Sequence, residues 1–267
     1  MGAMNVTRLN SCLMHWAARG KSDGPAILFA NSLGTDFRLW DSVIAHLSPR
    51  YRAVTYDMRG HGLSEAPPGP YSIDSLANDV LALADVQGLK RFALVGMSVG
   101  GLIAQAVAIR APERLNALII CDTAARIWTP DLWSARIAAV EASGLEELAG
   151  GIVKLWVTEK LRTMRPDELL GWQNMLTRQP LGGYLAMCGL LRDTDLTSAV
   201  HGIKTPTLAL AGDEDASTPP ALVKASAERI PGARFELIPG AGHLPCIEQP
   251  AVLARLIDRH ISEANRG

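Results

Sequence analysis

A serine held between glycines, Gly96-Met97-Ser98-Val99-Gly100, follows the apolar β-rich run Phe92 to Val95 and precedes an apolar stretch of helical character, Ile103 to Ile109. A strand, a tight turn and a helix in succession would expose the Ser98 hydroxyl at the start of that helix. The turn must be sharp, and glycines suit it because a Cβ on either side of the serine would collide with the neighbouring strand and helix. A helix N-terminus also aims backbone N–H groups at any negative charge that develops there. The N–H of Val99 is therefore expected to serve as one oxyanion donor. The same pentapeptide in an ordinary glycine-rich turn would carry no chemistry; the flanking strand and helix patterns favour the nucleophile.

A serine nucleophile needs a base within reach and a carboxylate to orient that base. Pro239-Gly240-Ala241-Gly242-His243 follows the strand-like run Phe235 to Ile238, so His243 stands on a glycine-rich loop at a strand end. His15, His46, His201 and His260 lack such a setting. His61, in Arg59-Gly60-His61-Gly62-Leu63-Ser64, has a comparable turn and is read as a shaping residue rather than a base. For the carboxylate, Gly212-Asp213-Glu214-Asp215-Ala216-Ser217-Thr218-Pro219 offers three candidates at the end of another apolar run.

These loops imply a scaffold of buried strands. Ala26 to Ala30, Ala53 to Tyr56, Phe92 to Val95, Ala117 to Ile120 and Thr207 to Leu210 read as such strands. Helical spacing lies between them, for instance Leu76, Val80, Leu83 and Ala84, and later Val252, Leu253, Leu256 and Ile257. The alternation predicts an α/β protein with a mostly parallel central sheet and helices on both faces. It stops from about Ala124 to Ala199, where Trp128, Trp133, Trp156 and Trp172 are concentrated. That segment is expected to be a helical cap, residues 124–199, inserted between core segments 1–123 and 200–267. Most of its tryptophans are expected to fill the cap–body interface.

The 267 residues are 48% hydrophobic and 20% charged, a composition that can bury one core. A formal net charge of -1 with scattered basic residues argues against nucleic acid as a partner. Phe92 to Ile109 is uncharged and of nearly bilayer-spanning length, but its central glycines favour a buried strand-turn-helix over a membrane span. The first residues lack a basic-then-apolar pattern, so no secretory leader is expected. Cys12, Cys121, Cys188 and Cys246 lack metal-type spacing, so a reducing cytoplasmic setting is expected. No metal or nucleotide cofactor is expected, since no acid/histidine group has ligand spacing and no glycine-rich loop precedes a Lys-Ser/Thr pair.

The chain resembles the α/β-hydrolase family, whose Gly-x-x-Asp with Pro four residues later is matched by Gly212, Asp215 and Pro219. The resemblance implies Asp215 as the acid, and the order Ser98, Asp215, His243 is that of the fold. It also implies a second oxyanion N–H from the loop Asn31-Ser32-Leu33-Gly34, assigned by position to Leu33. Many relatives carry His-Gly where this chain has Asn31-Ser32. Asn31-Ser32-Leu33-Gly34-Thr35-Asp36 with Trp40 looks like the 3-oxoadipate enol-lactonases of bacterial aromatic catabolism. Gln179-Pro180, Gly183-Tyr184 and Asp193-Thr194-Asp195-Leu196 are more loosely similar to their cap.

This resemblance implies cofactor-free hydrolysis of an anionic enol-lactone to 3-oxoadipate through an acyl-enzyme, a step of the β-ketoadipate pathway. A substrate carboxylate requires a donor, for which the cap offers Arg126, Arg136, Lys154, Arg162, Arg165, Arg178 and Arg192. Arg136 with Trp133 is the preferred pair, against the plain alternative of a solvated surface arginine. Fold alone does not separate lactonase from carboxylesterase, carbon–carbon bond hydrolase or perhydrolase, or from a low-turnover small-molecule receptor.

Overall fold

The computed structural model describes residues 4–266. Eight strands run in chain order: β1 Asn5–Leu9, β2 Cys12–Gly20, β3 Ala26–Ala30, β4 Arg52–Tyr56, β5 Phe92–Met97, β6 Leu115–Cys121, β7 Thr207–Gly212 and β8 Arg234–Ile238. They form one sheet in the order β1-β2-β4-β3-β5-β6-β7-β8. From β4 to β8 all neighbours are parallel, whereas β1 and β2 form an antiparallel hairpin on the edge beside β4. The fold has the mostly parallel sheet that the alternating pattern predicts. The edge hairpin was not among the expected strands. Its β1 is mostly exposed and β2 ends in Ala17-Ala18-Arg19-Gly20, which carries no strand signature.

Ten helices accompany the sheet among the described residues. α1 Asp41–His46, α2 Ile73–Val86 and α3 Val99–Arg110 precede β6; α4 Pro130–Lys154, α5 Glu159–Met164, α6 Pro166–Thr177 and α7 Leu181–Asp193 lie between β6 and β7. α8 Pro220–Ala227, α9 Pro245–Glu248 and α10 Pro250–Ala264 complete the chain. α2 begins at a reciprocal Ser72–Ser75 cap and buries Leu76, Val80, Leu83 and Ala84, the stripe its spacing marks. In α4 the helix breaks at Gly144, whose φ of 77° lies outside helical space.

The uncharged stretch from Phe92 to Ile109 is β5, the turn at Ser98 and most of α3. α3 is buried on every side from Val99 to Ala108, which accounts for its lack of charge. No helix among the described residues is long and apolar enough to cross a membrane. All four cysteines are buried and free.

Register decides what the strand ends can bring together. Met97 pairs with Cys121 and Cys121 with Leu210, so the residues following β5, β6 and β7 emerge side by side. Gly212 pairs with Ile238, which sets the loops after β7 and β8 next to each other. Ser98, Asp122, Asp215 and His243 all follow carboxyl ends of parallel strands, the end at which open α/β sheets bind ligands.

Candidate active site

Ser98 adopts φ 55° and ψ -119°, a backbone state that costs an L-residue free energy and persists only where its surroundings enforce it. The enforcement is visible. The Ser98 N–H donates to Cys121 O at 2.9 Å, and the Ser98 carbonyl accepts from Thr123 Oγ1 at 2.7 Å and Gly101 N at 2.9 Å. A Cβ on Gly96 would overlap the Gly100 carbonyl, and one on Gly100 would overlap the carbonyls of Ala30 and Asn31, so neither glycine tolerates a side chain. Ser98 retains 8% of its surface at the bottom of a cavity.

His243 is buried, and its Nδ1 lies 2.9 Å from Asp215 Oδ2. Asp215 also accepts from Ser217 N at 2.7 Å, Thr218 N at 3.0 Å and Thr218 Oγ1 at 2.6 Å. Burial pushes the Asp215 carboxyl up; the facing His243 and the Thr218 donors outweigh this and hold it below its ordinary range. Of the acids in the 212–219 turn, it is Asp215 that reaches the imidazole. Asp213 is exposed and instead accepts from Gly240 N at 2.7 Å and Ala241 N at 3.3 Å, bracing the turn that leads to His243.

The loop after β3 is fixed from below. Asn31 donates to Tyr56 O at 2.8 Å and accepts from Trp40 Nε1 at 2.9 Å, giving the Asn31 and Trp40 of the sequence pattern a structural use. Gly34 N donates to His61 Nε2 at 3.0 Å. Burial lowers His61 to about 4, so the ring is neutral and can accept at Nε2 while its Nδ1 faces Arg59 O. His61 thus holds the loop and does not face the cavity. Leu33 lines the cavity with Ser98, and Val99 opens α3 directly after it. The backbone N–H groups of Leu33 and Val99 have no partner among the described residues, as an oxyanion hole requires before substrate arrives.

The cavity measures about 40 Å³ and is roofed by the helical segment between β6 and β7: Ile127, Trp128, Trp133, Arg136, Ile152, Leu155, Trp156 and Tyr184 join Ser98 and His243 around it. Trp128 and Trp133 stack with centroids 4.8 Å apart, and Trp128 Nε1 donates to Ser217 O at 2.8 Å, tying the roof to the Asp215 turn. Among the described residues Arg136 is the single Lys or Arg that lines the cavity. Its guanidinium sits 5.5 Å from the Trp128 ring and 3.4 Å from Tyr184 Oη, and no carboxylate pairs with it among the described residues. By contrast Arg126, Arg165 and Arg192 are neutralised by Asp195, Glu168 and Asp193, and Arg162 binds backbone carbonyls.

Three features escaped the sequence reading. Tyr184, which the sequence marks only through its Gly183-Tyr184 pattern, borders the cavity. Glu248 accepts from Gly242 N at 2.7 Å, Thr158 N at 3.0 Å and Thr158 Oγ1 at 2.5 Å, so one carboxylate joins the His243 loop to the roof. Asp122, Asp215 and His243 each offer a polar atom within 4.8 Å of the others, a grouping of cation-binding type that spacing along the chain did not reveal. In it the Nδ1 of His243 and Oδ2 of Asp215 are already joined directly. A second and larger cleft, about 560 Å³, lies elsewhere and is lined by residues including His15, Asp57, Met175 and Arg178.

The sequence profile described as Alpha/beta hydrolase family matches residues 27–256. The chain is 33% identical over 252 residues to 3-oxoadipate enol-lactonase 2 of Acinetobacter baylyi, covering 94% of each, and 36% identical to 3-oxoadipate enol-lactonase 1 of the same organism, covering 86% of each. Its structure superposes on the enol-lactonase of Burkholderia xenovorans LB400 with a TM-score of 0.94 at 33% identity, over 97% of this chain and 100% of that one. The chain belongs to the alpha/beta hydrolase family, and these relatives support an ester-hydrolysing enzyme.

Proposed function

We propose that this alpha/beta hydrolase opens 3-oxoadipate enol-lactone to 3-oxoadipate through an acyl-enzyme on Ser98, as a cytoplasmic enzyme of bacterial aromatic catabolism. The observation that carries the reading is a serine cavity, backed by the His243–Asp215 pair, into which one unneutralised cation, Arg136, projects. The relatives named enol-lactonases support the choice of substrate.

His243 accepts the Ser98 proton as the hydroxyl attacks the lactone carbonyl. Asp215 fixes the ring and stabilises the imidazolium that forms. The tetrahedral oxyanion rests on the N–H groups of Leu33 and Val99, each such donor stabilising the transition state by about 3 kcal/mol. Collapse expels an enolate, a weaker base than an alkoxide, and its protonation to the ketone removes the group that could reclose the ring. Water deprotonated by His243 then attacks the acyl-enzyme and releases the dicarboxylate. Arg136, whose guanidinium lies over Trp128 with Trp133 stacked on that ring, receives the substrate carboxylate.

In this reading residues 124–199 act as a cap. A cavity of about 40 Å³ is small for a ring with a carboxymethyl arm, since small-molecule sites typically measure about 300 Å³ or more, so the cap must shift for substrate to enter. The test is loss of the enol-lactone's ultraviolet absorbance, set beside hydrolysis of p-nitrophenyl acetate. The lactone should be the better substrate by kcat/KM, and Ser98→Ala should lower turnover by roughly 10⁵–10⁶-fold. Faster hydrolysis of the neutral ester would overturn the substrate, and undiminished turnover by Ser98→Ala would overturn the mechanism.

A further inference from the structure

Asp122 has no part in the mechanism just described, yet it is completely buried beside it. It follows β6 with a φ of 48°, held there by its N–H donating to Leu210 O at 2.9 Å. Its Oδ1 accepts from Gly212 N at 2.8 Å, while its Oδ2 is buried with no partner among the described residues. A buried carboxylate oxygen without a donor is costly to maintain, by a kilocalorie or more even for a neutral polar group. The nearest polar neighbours within the cluster are Asp215 and His243. Two carboxylates this close in a dry site do not both ionise readily; one keeps a proton. Asp215 is the one with four donors, and Asp122 has one, so the charge belongs on Asp215.

We propose that Asp122 is a positioning residue whose carboxyl is protonated in the resting enzyme and directs that proton from Oδ2 to the Asp215 carboxylate. Asp215 then faces a donor on each side, His243 and Asp122, and the pair of acids carries a single negative charge. Burial and the facing Asp215 carboxylate push the Asp122 carboxyl well above its usual range, in agreement with this placement. Besides Asp215 and His243, whose Nδ1 is already engaged by Asp215, the titratable groups that bear on it are Glu248 and the thiols of Cys121 and Cys246, none of which supplies a positive charge to favour ionisation. The proton on Asp122 does not enter the reaction. Its effect is to draw electron density from Asp215, which makes the imidazolium less stabilised and the neutral, proton-accepting His243 easier to keep.

This inference rests on the proposed triad, and its test separates the two. Asp122→Asn retains an acceptor for Gly212 and an N–H donor toward Asp215, whereas Asp122→Ala removes the donor. With Asp122 protonated, Asp122→Asn keeps kcat/KM within about threefold and leaves the acid limb of the pH profile in place. Asp122→Ala moves that limb to higher pH by about half a unit to one unit, because Asp215 becomes more basic. Infrared difference spectra of wild type against Asp122→Asn, taken without substrate near neutral pH, show the carbonyl stretch of a protonated carboxylic acid. Absence of that band, or an acid limb in Asp122→Asn that falls by about a unit as it would on removing a true negative charge, overturns the proposal. The spectrum needs no turnover, so it stands or falls independently of Ser98.

Discussion

Two aspartate–histidine pairs of nearly equal length occur among the described residues: His243 to Asp215 at 2.9 Å and His15 to Asp57 at 2.8 Å. The second borders the larger opening, about 560 Å³ against about 40 Å³. Size and the presence of a dyad would both favour the wrong region. No hydroxyl or thiol side chain lines the large cleft among the described residues, and Asp57 spends its other hydrogen bonds on the N–H groups of Phe37 and Leu63, at 2.9 Å each. Asp57 therefore laces loops together. Asp215 takes its other bonds from its own turn, and its histidine lines one cavity with a serine in enforced strain. The two regions differ in what else converges on the histidine, and the hydrogen bond to it is the common part.

The comparison breaks if the two acids respond alike to the same substitution. Asp215→Asn should lower kcat/KM by about 10⁴-fold with little change in melting temperature. Asp57→Asn should keep kcat/KM within about tenfold while costing stability by about 1.5–3 kcal/mol, a fall of several degrees in the melting temperature. Comparable kinetic losses in both variants would mean that the large cleft takes part in turnover.

His61 sharpens the picture, because it is a buried histidine that belongs to neither pair. Its folded value of about 4 lies below its unfolded value of 6.5, so the unfolded chain binds the extra proton in that interval. Its contribution to stability is present above pH 6.5 and is lost as pH falls toward 4, amounting to about 3 kcal/mol. Denaturant titrations across this window should show a shallower decline in His61→Gln than in wild type. An unchanged slope would remove His61 as the neutral anchor of the oxyanion loop.

The smallest effect separates the arginines of the two openings. Arg136→Ala should raise KM for the anionic lactone by about 10–100-fold and leave a neutral ester nearly unaffected. Arg178→Ala, at the cleft, should leave both substrates unaffected. Equal KM changes in the two variants would dissolve the distinction between the regions.

Much of this site is readable in the chain because its parts are local. The Ser98 turn, the His243 loop and the 212–219 turn each announce themselves through glycines next to an apolar run, and strand order then brings them together. Asp122 escaped because its partner lies far along the chain and only the pairing of β6 with β7 makes them neighbours. Glu248 escaped for a similar reason: it looks like an ordinary helix-end acid until Thr158 meets it across the roof. The β1–β2 edge escaped because a half-exposed hairpin rich in alanine and arginine carries little strand signature. Among the basic residues of the roof, Arg136 stands apart because it lines the serine cavity with no acid beside it, a combination that no spacing rule encodes.

The Glu248 clamp also restricts how the enzyme can open. Because one side chain grips both Thr158 and the amide preceding His243, swinging the roof about its 158 end would drag His243 away from Asp215 or rupture three bonds together. A gate that keeps His243 seated must bend on the far side of that rivet. The interruption of α4 at Gly144 supplies a joint there, so the leading half of α4, with Trp133 and Arg136, can travel while the trailing half stays moored.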